Sequence, residues 1–261
     1  MKINNDKYYT DMNIAKYCID KTIETIGNEN ITDMIEPSAG NGSFSLQIPN
    51  CIAYDILPEH KSIIAQDYLQ LNMPYKKGRL IIGNPPFGTK LKLALDFFKK
   101  SIEISDYIAF ILPISQLNNS NMMYEFDLIY SEDLGKLDYS NVNLHCCFNI
   151  YKRPLILNKK PITKLTDIKI YRQDCNGYDE TEYDLRLCYW GNGSGGKLLN
   201  PEDKKCAGEY KIKILNESLK NNIINVLKTI DWKKELNCIA MVRIKQFELI
   251  NTLRKYIPEI K

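Results

Sequence analysis

Apolar and polar positions change period several times along this chain, and each change predicts an element. From Asp11 to Ile26 the residues Ile14, Tyr17, Cys18, Ile23 and Ile26 form an approximate helical stripe behind a Thr10 or Asp11 cap, ended by Gly27 and Asn28. Short apolar runs follow at Ile31 to Ile35, Cys51 to Tyr54, Ser62 to Ala65 and Leu80 to Ile82, and they read as strands. Next come a helix over 91–104, a strongly apolar strand from Tyr107 to Leu112 closed by Pro113, and a further helix within Ser115 to Met123. Phe126 to Tyr130 reads as a strand, Asp133 to Asp138 as a connection, and Asn143 to Tyr151 as a strand or hairpin. Together these predict an α/β domain with a sheet of about seven strands, parallel except for an antiparallel pair at one edge. Beyond Pro154 the pattern weakens. Pro161 to Tyr171 and Asp184 to Trp190 each hold one strand, Gly191 to Gly196 form a loop, and Leu215 to Leu227 and Gln246 to Tyr256 have helical patterning. The expected division is a larger domain over 1–157 and a small α+β region over 158–261.

Where the strands end, the residue types become chemical. The first runs into Glu36-Pro37-Ser38-Ala39-Gly40-Asn41-Gly42-Ser43-Phe44. Two glycines two apart, after a strand and before a short helix, let the backbone pass close to a ligand, as in nucleotide sites. The second strand ends at Asp55, the third at Gln66-Asp67-Tyr68 and the fourth at Asn84. Any one of these is explained by a turn or a surface carboxylate. Three in succession line one edge of a parallel sheet, where open α/β sheets bind ligands. The fourth strand then enters Asn84-Pro85-Pro86-Phe87, whose two prolines remove backbone donors and stop strand pairing. Such a corner holds the Asn84 amide and the Pro85 carbonyl in fixed directions beside an aromatic face. It suits a planar ring bearing an amino group, with two acceptors for its hydrogens and Phe87 to stack on.

Composition narrows the class. No apolar run approaches the roughly 20 residues needed to cross a bilayer, and MKINNDKYYTD lacks the apolar core of a signal peptide. A soluble cytoplasmic protein is expected, or a nuclear one for a eukaryotic or viral source, with no membrane partner. The eight cysteines contain no C-x-x-C pair and there are only two histidines, so buried free thiols are expected and no metal. Charge is uneven: residues 1–150 hold 13 Lys+Arg against 18 Asp+Glu, and residues 151–261 hold 22 against 14. A basic appendage on an acidic core is the pattern of a polyanion-binding segment, or of a lysine-rich surface kept for solubility.

From about Tyr8 to Pro154 the chain resembles the S-adenosylmethionine-dependent amino-methyltransferases of the N6-adenine DNA type. The resemblance rests on Glu36 to Gly42 and on Asn84-Pro85-Pro86-Phe87, which match that family's cofactor loop and N-P-P-[YF] catalytic motif. It implies a Rossmann-like methyltransferase sheet, S-adenosylmethionine as cofactor, and DNA as partner, as in restriction-modification enzymes. It also implies roles. Tyr9 and Thr10 match the N-terminal cofactor-side motif; Glu36, Pro37, Ser38, Ala39, Gly40 and Gly42 the methionine-binding loop. Asp55 with Ile56 matches the ribose-hydroxyl acid, and Asp67 with Tyr68 the residues beside the cofactor adenine. Asn84 lies between cofactor and target, and Phe148, in Cys147-Phe148-Asn149, resembles an aromatic that packs on the target base. Asp11 stands where many relatives carry proline.

The same corner would also serve an adenine in RNA or a glutamine side chain in a protein. Glutamine methyltransferases carry a helical domain before the cofactor loop and little after the last strand, whereas here the long extension follows the catalytic region. A non-catalytic cofactor-binding specificity subunit, or a chain that works with a protein partner or as a dimer, is the remaining alternative. Recognition of nucleic acid is expected from the basic region. Trp190 would stack on a base or sugar, Arg186 and Lys197 would meet phosphates, and the Gly191 to Gly196 loop would yield to an approaching backbone.

Overall fold

The computed structural model describes residues 9–139, 142–174, 182–191, 195–236 and 242–261. The chain divides into two compact units, Met1–Pro161 and Ile162–Lys261.

The first unit opens with helix α1 (Met12–Ile26), capped by Asp11, whose carboxylate accepts from the backbone N–H of Asn13 at 2.8 Å and Ile14 at 3.3 Å. Gly27, at φ 84°, ends it. Strands β1 (Asp33–Glu36), β2 (Ile52–Asp55), β3 (Ile64–Ala65) and β4 (Arg79–Gly83) follow, then helix α2 (Lys92–Ile104), β5 (Tyr107–Pro113), β6 (Asp127–Tyr139) and β7 (Val142–Lys152). They form one sheet in the order β3-β2-β1-β4-β5-β7-β6, with β1 to β5 parallel and β7 antiparallel to both of its neighbours. This is a doubly wound, Rossmann-like sheet of seven strands with an antiparallel pair at one edge.

Leu80, Ile82, Ala109 and Ile111 face the α1 side, while Ile81, Ile108, Phe110 and Leu112 pack on the α2 side. Both faces of β4 and β5 are therefore covered, which is why these strands read as unbroken apolar runs. The chain leaves β1 towards β2 and leaves β4 towards β5. That reversal opens a crevice beyond their C-terminal ends.

Two expected elements are corrected. No helix forms within Ser115 to Met123; there is one 3-10 turn (Ile114–Gln116), after which Asn118 has φ 49° and the Asn119 side chain accepts from the Asn121 N–H at 3.1 Å. Short polar side chains that bond the local backbone compete with the helix ladder. The supposed connection Asp133 to Asp138 is strand. β6 runs through it with register shifts at Leu128/Tyr130 and Asp133/Gly135, and at the second Gly135 takes φ 74° while Asp133 accepts its N–H at 2.7 Å. An extra residue at each bulge breaks the alternation that would have marked a strand.

The second unit is α+β. Strands β8 (Ile168–Asp174), β9 (Leu185–Trp190), β10 (Leu198–Leu199) and β11 (Gly208–Ile214) form an antiparallel sheet in the order β10-β9-β11-β8. Leu187, Tyr189, Tyr210, Ile212 and Ile214 pack against residues of α3 (Lys220–Thr229), α4 (Trp232–Glu235) and α5 (Gln246–Tyr256). The sequence reading missed β11, although Tyr210, Ile212 and Ile214 inward against Lys211 and Lys213 is a period-two pattern.

Candidate active site

A cleft of about 360 Å³ lies at the C-terminal edge of the first sheet, lined by the segments that follow β1, β2, β3 and β4 together with Tyr9 and Thr10. Four strand ends from one edge thus meet in one cavity.

The loop after β1 is held from below. Glu36 is 2% exposed, and its Oε2 accepts from the Ser45 N–H at 2.8 Å, joining the start of the loop to its far end. Burial pushes its carboxyl up to about 7, opposed by hydrogen bonds from Ser45 and reinforced by the nearby Asp55 charge. Pro37, Ser38, Ala39 and Gly40 line the cleft. Gly40, at φ 52°, donates its N–H to Asp55 Oδ2 at 2.7 Å, and Leu57 N–H donates to Oδ1 at 2.8 Å, so two backbone donors fix the carboxylate. Gly42 is set apart from the lining. At φ 87°, with its N–H on Ala39 O at 2.6 Å, it shapes the turn, and a Cβ there would stand 2.8 Å from Leu46 Cγ.

Tyr9 closes over the loop, its hydroxyl on Glu59 and its ring 3.4 Å from where a Gly40 Cβ would be. Ile56 and Asp67 also line the cleft. Asp67 Oδ1 accepts from Leu69 N–H at 2.9 Å, capping the turn that carries Tyr68. Tyr68 lines the cleft, stacks on Phe97 with ring centroids 5.5 Å apart, and turns its hydroxyl inward to Ser101 Oγ at 2.9 Å.

Asn84, Pro85, Pro86 and Phe87 form the remaining wall. The Asn84 backbone carbonyl accepts from Ser38 Oγ at 3.3 Å, joining this corner to the glycine loop. The side-chain Nδ2 donates to Thr10 Oγ1 at 3.1 Å and to Tyr139 Oη at 3.3 Å. The amide nitrogen is thereby turned towards protein, and Oδ1 is its remaining polar atom. Tyr139 was not foreseen. It ends β6 and is almost fully buried, and burial above all raises its phenol pKa. The alternation of Leu137 and Tyr139 inward with Lys136 and Asp138 is the only sequence signal for it.

Three expected contacts are corrected or relocated. Phe148 does not line the cleft: it sits on β7, an interior strand covered on both faces, and is fully buried in the core, so it cannot stack on an incoming base. In the second unit Arg186 is 5% exposed, ion-paired to Glu209 at 2.9 Å, and donates to the carbonyls of Asn200, Pro201 and Asp203. Its charge is matched by Glu209 and it is buried, so it is not displayed to a phosphate. Trp190 is 41% exposed and Lys197 is exposed. Gly195 and Gly196 are packing glycines: a Cβ would lie 2.2 Å from Val242 O at the first and 2.4 Å from the Trp232 ring at the second. Asn192, Gly193 and Ser194 lie outside the described residues, as do Tyr8, Cys175 and Cys238.

Among the described residues no three His, Cys, Asp or Glu side chains are placed to hold a metal ion, and no helix is long and apolar enough to cross a membrane.

Comparison with known proteins adds likenesses of low identity. No family model and no curated protein sequence matches. Among solved structures, a candidate RNA methyltransferase of Pyrococcus horikoshii is 16% identical, covering 59% of this chain and 89% of that one with a TM-score of 0.47. A candidate class I S-adenosylmethionine-dependent methyltransferase of Listeria monocytogenes is 12% identical over 62% of this chain and 65% of that one, TM-score 0.46. The 23S rRNA methyltransferase ErmE is 14% identical over 58% and 71%, TM-score 0.41. At these identities, and with TM-scores below 0.5, the likenesses carry no chemistry over to this chain.

Proposed function

We propose that the chain transfers the methyl group of S-adenosylmethionine to the N6 amino group of adenine in DNA, with the target base taken out of its stack into the Asn84 to Phe87 corner. The observation that carries the proposal is that one cleft joins the glycine loop, Asp55, Asp67 and that corner. A nucleoside cofactor and a planar amine would therefore meet in a single space.

The residues fit the cofactor. The cleft volume lies within the ~300–1,000 Å³ of small-molecule sites. Each Asp55 oxygen takes one backbone N–H and keeps a second lone pair for a ribose hydroxyl. Ile56, Leu69 and Phe97 supply apolar surface for a purine. When bound, S-adenosylmethionine supplies a methyl group activated by its sulfonium charge.

The chain's own work is positioning. An aromatic amine is a poor nucleophile because its lone pair is delocalised into the ring. Asn84 Oδ1 and the Pro85 carbonyl can accept its two hydrogens, drawing the nitrogen towards tetrahedral geometry and aiming the lone pair across the cleft. Phe87 replaces stacking lost when the base leaves its neighbours. The second unit, with Trp190 and Lys197 outward, is the proposed recognition region.

The test is transfer of labelled methyl to duplex DNA, single-stranded DNA, RNA and protein in parallel. Label in DNA as N6-methyladenine is the expected result. Label in RNA adenine or protein glutamine would reassign the corner to another polymer, and transfer to none would overturn the proposal.

A further inference from the structure

Resting on that reading, we infer that Tyr139 is a positioning residue: its hydroxyl, with that of Thr10, fixes which end of the Asn84 amide faces the substrate. A primary amide has two ends of nearly the same shape and opposite hydrogen-bonding character. If the Asn84 amide turned over, it would present NH2 to an amine and repel it. Both Nδ2 hydrogens are instead taken, by Thr10 Oγ1 at 3.1 Å and Tyr139 Oη at 3.3 Å. Cys146 Sγ lies 3.9 Å from the phenol, and a thiol sulfur there can take the phenolic hydrogen, which leaves an oxygen lone pair for Asn84.

The reach of Tyr139 is a product of the hairpin. β6 is the edge strand, separated from β4 by β5 and β7. Pairing of β5 with β7 stops at Pro113 and Cys146, whereas β6 and β7 stay paired from Lys136 and His145 to Tyr139 and Val142. That overhang carries the phenol past the end of β5 to Asn84. With the amide nitrogen occupied, the corner offers only acceptors, Asn84 Oδ1 and the Pro85 carbonyl. It therefore selects a group bearing two N–H bonds and rejects carbonyl and phosphate oxygens.

Tyr139→Phe removes the hydroxyl and keeps the ring in its buried seat. The expected result is a kcat about tenfold lower, the scale of one lost neutral hydrogen bond, with cofactor Kd unchanged by calorimetry. In protein labelled with 15N at asparagine side chains, the Asn84 NH2 resonances should shift and broaden. Thr10→Val should move the same resonances in the same sense, and it decides the matter if Tyr139→Phe does not fold. A wild-type kcat with unmoved Asn84 resonances would overturn the inference, as would equal loss of kcat and cofactor affinity, which marks a merely structural residue. A wild-type protein that methylates no amine would refute the functional reading alone, because the NMR measurement still reports on the amide.

Discussion

Replacing Glu36 by glutamine should make the first unit more stable at pH 8 than the natural chain, while leaving the two nearly equal at pH 4. The carboxyl is 2% exposed, and burial lifts it from 4.5 to about 7. Below pH 4.5 both folded and unfolded chains carry the proton, so nothing is lost. Between 4.5 and about 7 the unfolded chain releases its proton first, so stability falls as pH rises, and above about 7 the loss is complete. At about 1.4 kcal/mol per pKa unit this amounts to roughly 3 kcal/mol. Glutamine mimics the protonated acid and can still accept from the Ser45 N–H, so the variant has no such slope. For a unit of this size the difference corresponds to ~6–12 °C in Tm. The assay is scanning calorimetry of both proteins from pH 4 to 8, taking the transition of the first unit. Other titrating groups are common to both and cancel in the difference. A Tm difference that stays constant across this range would show that the Glu36 carboxylate is not penalised by its burial.

Four further outcomes are expected. Asn84→Ala should lower methyl transfer by about 10²–10³, the scale of one lost polar contact to a reacting group, with cofactor Kd unchanged by calorimetry. Asp55→Ala should raise cofactor Kd by about 10- to 100-fold, because the ribose hydroxyls lose their acceptor and the Gly40 and Leu57 N–H groups lose theirs. Arg186→Ala leaves Glu209 buried without its cation, and should cost the second unit about 3–5 kcal/mol in denaturant titration. Lys197→Ala should reduce the log-log salt slope of DNA binding by about one unit in fluorescence titrations, without changing cofactor binding.

What could be read in the sequence was what is written within a few neighbouring residues. The apolar run into Asn84-Pro85-Pro86-Phe87 announces its own strand end, and the acid after each short strand falls on the same edge because parallel strands all point one way. The elements that escaped depend on partners far along the chain. Residues 133–138 are strand because β7 pairs with them across two bulges, and bulges erase the alternation. Tyr139 touches Asn84 only because β6 and β7 outrun β5, a length difference invisible until the register is known. Phe148 failed for the opposite reason. Its local motif matched, but β7 lies between two strands, and a ring on such a strand belongs to the core.

The second unit shows how a count of cations differs from a surface. Its arginine and lysine excess fits either a polyanion-binding segment or a surface kept for solubility, yet Arg186 is held within the fold, bound to Glu209 and to three carbonyls of the 200–203 segment. Lys220 lies beside Asp184 and Lys255 beside Glu235. A net charge is unchanged by such pairing, but the positions from which it acts are not. The glycines at 195 and 196 shift the reading in the same direction, since they admit Val242 and Trp232 and are not open space for a ligand backbone. A nucleic-acid role for this unit therefore rests on the outward cations and on Trp190, the aromatic at the end of β9, where it bridges to Arg243. Salt dependence tests that role directly. A released counterion registers a cation that reaches phosphate, and Arg186, however basic, cannot contribute one while Glu209 holds it.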